Sequence, residues 1–158
     1  MPRLTPFLWF DNQAEQAAKF YASIFKNSKI EKITRYGEAG PGPKGSVMTV
    51  AFELDGQAFI ALNGGPHYKF TEAVSFVVDC KSQKEVDEFW AKLSAGGEEG
   101  PCGWLKDKYG LSWQVVPTVL SELLGDADRA KANRVMQAML KMKKIVIADL
   151  QHAYRGAA

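Results

Sequence analysis

The sequence predicts an α+β protein made of two βαβββ modules and a C-terminal helical tail. Three observations carry this: an internal repeat, one strong hairpin signal, and a change from strand to helix periodicity after Pro117. The stretch from Phe7 to Ile24 superimposes on Phe76 to Leu93 without a gap at an offset of 69. Phe7 falls on Phe76, Leu8 on Val77, Ala17 on Val86, Phe20 on Phe89, Tyr21 on Trp90 and Ile24 on Leu93. Each stretch is an apolar strand-like run followed by an amphipathic helix. A repeat of this length is a half-domain rather than a solenoid unit, and two such halves are expected to close around a shared cleft.

In the first module, Leu4 to Phe10 is rich in aromatic and aliphatic residues and is punctuated by Asp11-Asn12, which predicts a strand. Asn12 stands three residues before Glu15, a variant of the capping box, and Ala14, Ala17, Tyr21 and Ile24 follow at helical spacing up to Lys26-Asn27. Lys29 to Tyr36 reads as a strand, and Gly37 to Gly45 as an exposed, mobile glycine- and proline-rich loop. Ser46 to Leu54 and Gln57 to Asn63 flank Asp55-Gly56, the residue pair that two-residue hairpin turns favour.

The second module repeats the plan. Val74 to Cys80 is its strand, Ser82 and Glu85 form a capping box, and Val86, Phe89, Trp90 and Leu93 make an apolar stripe that Gly96-Gly97 ends. Trp104 to Lys106 and Leu111 to Val116 read as strands paired through Lys108-Tyr109-Gly110. Aligning Gly56 with Gly110 gives an offset of 54, which places the shortening in the counterpart of the Gly37 to Gly45 loop. Beyond Pro117, Thr118 to Leu124 is a short helix closed by Gly125. Asp126 or Asp128 caps a longer one with a Val135, Met136, Met139 and Leu140 stripe, and Ile147, Leu150 and Tyr154 share a face of the last segment. The expected organisation is therefore a domain over 1–117, with modules at about 3–66 and 73–117, and a helical extension over 118–158.

Composition narrows the classes. With 158 residues, 46% hydrophobic and 24% charged, the chain can bury one good core. Twenty basic and 18 acidic residues are spread evenly, so neither nucleic acid nor a membrane surface is an expected partner. No apolar run reaches the roughly 18 residues of a spanning helix, and Met1-Pro2-Arg3-Leu4 lacks a secretory apolar segment, so a cytoplasmic protein is expected. Cys80 and Cys102 have no CxxC spacing and no nearby histidine, and are read as free thiols.

Several motifs carry a family resemblance. The Asp55-Gly56 hairpin, Leu62-Asn63-Gly64-Gly65-Pro66-His67, Gly103-Trp104-Leu105-Lys106-Asp107 and the Gly110-Leu111-Ser112-Trp113-Gln114-Val115-Val116-Pro117 ending resemble the PhnB-like branch of the glyoxalase/bleomycin-resistance (vicinal oxygen chelate) superfamily. Members often carry a 3-demethylubiquinone-9 3-methyltransferase-like label. The chain has no strand–GxGxG–helix nucleotide turn, which argues against methyl transfer. The resemblance implies an incomplete eight-stranded barrel of four strands per module that holds a small molecule. It also implies, for the metalloenzymes of the superfamily, a divalent ion bound by first-strand and last-strand His or Glu of both modules. Those positions fall on Leu4 and Ile60 in the first module, with Ala61 beside Ile60, and on Ala73 and Gln114 in the second. One neutral amide among apolar side chains does not suit a divalent cation, so neither a metal nor another cofactor is expected.

The remaining candidates are cleft residues. Gln114 keeps an amide at a ligand position, and Ser75 and Ser112 share its strand parity. Trp104 supplies aromatic area on a neighbouring strand, whereas parity places Trp9 and Trp113 on the helix side as core. His67 and Asn63 lie at the end of the first module, where His67 could act as acid, base or ligand and where Asn63, like Asp107, suits a turn cap. No catalytic constellation can be read from spacing, so whether the chain is an enzyme stays open. The leading reading is a homodimeric protein binding a small molecule in the cleft between the modules. The alternatives are a metalloenzyme with a site displaced to His67 or Glu53, acting on vicinal oxygens, and an interaction module assembled through the helical tail.

Overall fold

In the computed structural model, which describes residues 2–156, the first apolar run of the repeat becomes strand β1 (Phe7–Phe10) and is followed by α1 (Ala14–Ile24), β2 (Lys29–Arg35), β3 (Val47–Leu54) and β4 (Gln57–Asn63). The second run becomes β5 (Ser75–Cys80), followed by α2 (Gln83–Ser94), β6 (Glu98–Glu99), β7 (Trp104–Lys106) and β8 (Ser112–Pro117). Then come α3 (Thr118–Leu124), α4 (Arg129–Met139) and α5 (Ile147–Arg155). The chain divides into two units, one up to Phe70 and one from Thr71 on, with the helical extension in the second. Each unit holds an open four-stranded sheet, ordered β1-β4-β3-β2 and β5-β8-β7-β6, so the βαβββ plan occurs twice. No helix of the described residues is long and apolar enough to cross a membrane.

In both units the first strand pairs in parallel with the last, and the helix crosses over between them. The helix buries one sheet face. In the first unit Ala14, Ala17 and Ala18 are fully buried, and small residues there let α1 approach the sheet closely, while Tyr21, Phe52 and Phe59 stack in sequence at 6.4 and 5.4 Å. In the second unit Val86, Trp90 and Leu93 cover Val78, Leu105, Trp113 and Val115. Alternation leaves the opposite face of each sheet uncovered by its helix.

The register changes the repeat by one residue. Phe7 pairs with Ile60 and Val77 with Gln114, and Leu8 and Phe10 are buried as Val78 and Cys80 are. The strand equivalence is therefore Phe7 to Val77, an offset of 70, while Ala14 to Gln83 keeps 69 in the helices. The cause is the βα turn, which has three residues in Asp11-Asn12-Gln13 and two in Lys81-Ser82. This corrects the pairing of Leu8 with Val77 and moves the counterpart of Ala73 from Leu4 to Arg3. The offset of 54 between β4 and β8 stands, with Ile60 rather than Ala61 opposite Gln114 in the repeat. Trp9 is corrected too: it points away from α1, its indole N–H donating to the Gly65 carbonyl at 2.9 Å and its ring meeting Tyr68 edge-on. Gly64 lies so close to that ring that a Cβ there would collide with it.

Local signals are honoured unevenly. Ser82 accepts from the Glu85 N–H at 3.2 Å, and the Glu85 carboxylate reaches back to the Lys81 N–H at 2.7 Å. The first helix has no such cap at Asn12. Its Ala14 N–H is instead satisfied at 2.8 Å by Asn63 Oδ1 from the far end of β4, 49 residues away. The first predicted strand loses Leu4, Thr5 and Pro6, and the shortening of the second module lies in its strands as well as its loop, since β6 and β7 have two and three residues against seven and eight in β2 and β3. The Gly37 to Gly45 loop is largely exposed and folds around Tyr36, whose ring lies so close to Gly40 and Gly42 that a Cβ at either would collide with it.

The extension packs its own small core of Leu120, Val135, Ile145 and Leu150. Met136 and Leu140, expected in the buried stripe, are exposed, because α4 ends at Met139 and turns only Val135 and Ala132 fully inward. Gln83 at the start of α2 ties the extension down, its amide donating to the Ile145 carbonyl at 3.0 Å and its Oε1 accepting from the Ile147 N–H at 2.8 Å. Asp107 is 3% exposed and organises the β7–β8 connection. Its Oδ1 accepts from the Tyr109 and Leu111 N–H groups and its Oδ2 from the Trp113 indole at 2.8 Å.

Two outcomes follow from this packing. Asp107→Asn turns one acceptor into a donor facing the Trp113 N–H, and should lower stability by about 2 kcal/mol in urea unfolding, with an unchanged denaturant slope. Burial, and then the charges of Glu85 and Asp79, push the Cys80 thiol up from 9.0 to about 12. At pH 8 iodoacetamide should modify Cys102 and leave Cys80 untouched until the chain unfolds. Because the folded value is the raised one, the stability contributed by Cys80 is complete below about pH 9 and is lost as pH climbs toward 12.

Candidate functional site

The strand register of the second sheet arranges its open face in rows. Ser75 pairs with Ser112, Ser112 with Lys106 and Lys106 with Glu98, one residue from each of the four strands. The next row holds Val77, Gln114 and Trp104. Cross-strand partners share a face, so four of the six sequence candidates, Gln114, Ser112, Ser75 and Trp104, come together here. Gln114 Nε2 donates to Ser75 Oγ at 3.0 Å, which fixes the amide across the sheet.

Beside them lies a cavity of about 480 Å³, lined entirely by second-unit residues. Pro101, Cys102, Trp104 and Leu105 give it apolar walls, and Glu72, Glu98, Glu99 and Lys106 its charges. It sits where the second module is shorter than the first, at the two-residue edge strand β6 and the tight turn after it. That turn has Cys102 and Gly103 at φ of 59° and 83°, closed by Trp104 N–H donating to Pro101 at 3.0 Å. The extension holds the turn in place: Cys102 N–H donates to Met142 and Gly103 N–H to Lys143, both at 2.8 Å.

Ser112 lines this cavity at 1% exposure, and its hydroxyl has no hydrogen-bond partner among the described residues. Lys106 next to it is paired with Glu72. That hydrogen bond and the Glu72 charge, followed by the charge of Glu98, hold the ammonium above the usual lysine range, and the same pairing holds the Glu72 carboxyl below the usual carboxylate range. Glu99 accepts from the Trp90 indole at 2.7 Å, so its carboxylate is turned toward α2, on the face it shares with Leu105.

His67 and Asn63 belong to the first unit and line a separate cavity of about 560 Å³ with Asp11, Glu15 and Tyr36. His67 is exposed there. Asn63 is committed to structure: besides capping α1, its Nδ2 donates to the Val47 carbonyl at 3.1 Å and its own carbonyl accepts from the Tyr36 hydroxyl at 2.5 Å. The superfamily's metal positions do not fit a divalent ion. Ala73 lies in the turn before β5, Ile60 is apolar, Gln114 is bonded to Ser75, and the counterpart of Ala73 is Arg3, a cation. Among the described residues no three His, Cys, Asp or Glu side chains are grouped to hold a metal.

Sequence reasoning missed the charged part of the cavity. Glu98 and Glu99 form a strand too short for a period to show, and Glu72 precedes the module's first strand. Lys106 and Cys102 have no spacing to other polar residues that points to a site.

A family model described as 3-demethylubiquinone-9 3-methyltransferase matches residues 2–116. The comparison with curated proteins finds no match. Among solved structures, a PhnB protein from Bacillus cereus with the same family description is 37% identical, covering 74% of this chain and 100% of its own, with a TM-score of 0.66. A protein from Pseudomonas aeruginosa is 19% identical over 74% of this chain and 98% of its own, at a TM-score of 0.62. The fosfomycin resistance protein FosX from Listeria monocytogenes is 17% identical over 79% of this chain and 98% of its own, at 0.57. The last two share the fold alone. The family match and the identity to the Bacillus cereus protein make this chain a member of the 3-demethylubiquinone-9 3-methyltransferase family, the PhnB-like branch of the vicinal oxygen chelate superfamily.

Proposed function

We propose that the chain binds a small organic molecule on the open face of its second sheet, without a divalent metal. The observation that carries this reading is the Ser112 hydroxyl, buried and without a protein partner at a cavity with apolar walls. A buried hydroxyl left unpaired costs on the order of 1–3 kcal/mol, and a ligand that bonds it recovers that cost only when bound. Apolar walls with a few convergent polar groups are the ordinary composition of a ligand pocket. Trp104 supplies an aromatic wall, and Gln114, fixed by Ser75, stands outside the lining in the row that it shares with Trp104.

Methyl transfer, which the family description names, finds little support in this chain. The turns after β1 and β5, Asp11-Asn12-Gln13 and Lys81-Ser82, contain no glycine, and a nucleotide-bearing methyl donor is commonly held by a glycine-rich turn at this place in a fold. The homodimer belongs to the same proposal, with the exposed Val74 and Val77 as apolar surface for a partner copy, and so does a cytoplasmic setting, which suits two free thiols.

The reading expects an organic molecule to leave protein purified without added ligand when the chain is denatured, detected by mass spectrometry. Trp104→Ala should reduce its occupancy by about tenfold, the size of one lost aromatic contact. Elemental analysis is expected to find metal far below one ion per chain. One divalent ion per chain, lost on His67→Ala, would turn the reading toward the metalloenzyme. A single species of 17.5 kDa in sedimentation equilibrium would remove the dimer.

A further inference from the structure

We infer that the second-sheet cavity selects an amino alcohol: a ligand with an apolar or aromatic body, a hydroxyl to pair with Ser112 and an ammonium at the carboxylate rim. This rests on the binding reading above and names the chemical class that the site prefers.

The charges point one way. Two carboxylates, those of Glu72 and Glu98, stand at the cavity against one ammonium, that of Lys106. Lys106 is already neutralised by Glu72 and stands opposite Glu98 in the sheet, so it has little attraction left for an anion. Glu98, opposite Lys106, is the acidic residue of β6 whose side chain shares the face of Ser112 and Trp104, whereas Glu99 turns toward the Trp90 indole of α2. An anionic ligand therefore enters against a net negative rim, and a cation enters with it. Trp104, a wall of the same cavity, adds a second preference for a cation, since its ring face attracts ammonium groups.

Acidic residues alone do not make a site. The independent observation is Ser112, 1% exposed and unpartnered among the described residues, which asks for a hydrogen-bonding group inside an apolar enclosure. A hydroxyl can both donate to and accept from the serine, and it leaves the ammonium of the same ligand to the carboxylates rather than beside Lys106. The wall that completes the enclosure, Pro101 to Trp104, is pinned by Met142 and Lys143. Those residues lie beyond the 2–116 family match, so the enclosure is shaped by a part of this chain that the family model does not cover.

Three probes of one shape test the class by calorimetric titration of the full chain at low salt: 2-amino-1-phenylethanol, the neutral 1-phenylethane-1,2-diol and the anion mandelate. The expected order is amine, then diol, then mandelate, with about three- to fivefold between neighbours and the gaps narrowing at high salt. Glu98→Gln should narrow the ratio of amine to diol while leaving the diol unchanged. Ser112→Ala should weaken both by about three- to tenfold, and the unliganded variant should melt no lower than the parent, since the lost hydroxyl has no partner to abandon. A melting temperature that falls in Ser112→Ala would assign the serine a structural role and overturn the inference. Mandelate binding as tightly as the amine overturns the class and leaves the binding reading intact, provided that mandelate also slows alkylation of Cys102. Failure of all three at about 10 mM, beyond the weak end of ordinary affinities, with no effect on Cys102 alkylation, overturns both. Preference for the amine that neither variant alters places its binding elsewhere and equally overturns the inference.

Discussion

The parallel pairing of the first and last strands is the constraint on which each unit depends. A parallel pair cannot be closed by a hairpin, so the chain must cross over through a helix, and that helix must bury one face of the sheet. Once α1 or α2 is seated, strand alternation decides every other side chain: Leu8, Phe10, Val50 and Phe52 turn inward in the first unit, and Val78, Leu105, Trp113 and Val115 in the second. The opposite face is left to other work. In the second sheet that face collects serines, a glutamine, a tryptophan and a lysine in two rows.

Polar groups separate structure from function in this chain. Asp107 is buried and Asn63 half-buried, and both are engaged, the one with two backbone N–H groups and an indole, the other with a helix end and a neighbouring strand. Either looks catalytic by residue type. Their hydrogen bonds show them to be the pins that hold a hairpin and a helix in place. Ser112 is the reverse, the least conspicuous candidate by type, and its side chain carries the buried group without a protein partner. A fold that satisfies its other buried polar side chains among the described residues leaves this one beside a cavity, and that contrast gives the site its meaning.

The helical extension has a defined place in this arrangement. Gln83 bonds both Ile145 and Ile147, Lys144 pairs with Asp87 at 2.8 Å, and Met142 and Lys143 accept from the turn that walls the cavity. Val116, the next residue along the open-face row direction of β8, packs against the extension's core. The extension thus closes one end of the face and shapes the enclosure, although its own sequence carries no site residue.

The amino-acid sequence by itself determined the two modules, the order of most of their elements, the Ser82 cap, the Asp55-Gly56 hairpin and the shared parity of Ser75, Ser112 and Gln114, because each rests on a local pattern of residues or on the recurrence of such a pattern in the second module. The tertiary structure decided what depends on distant partners. The length of a βα turn, three residues or two, moved the strand repeat from 69 to 70 and carried Trp9 from the core to the open face. A cap for α1 came from Asn63, 49 residues away, where local reading had looked to Asn12. The edge strand β6 is too short to have a period, and it forms only because Lys106 and Leu105 pair with it. Above all, whether a buried hydroxyl is paired depends on every neighbour in space at once, and so no spacing in the sequence could have distinguished Ser112 from Ser75.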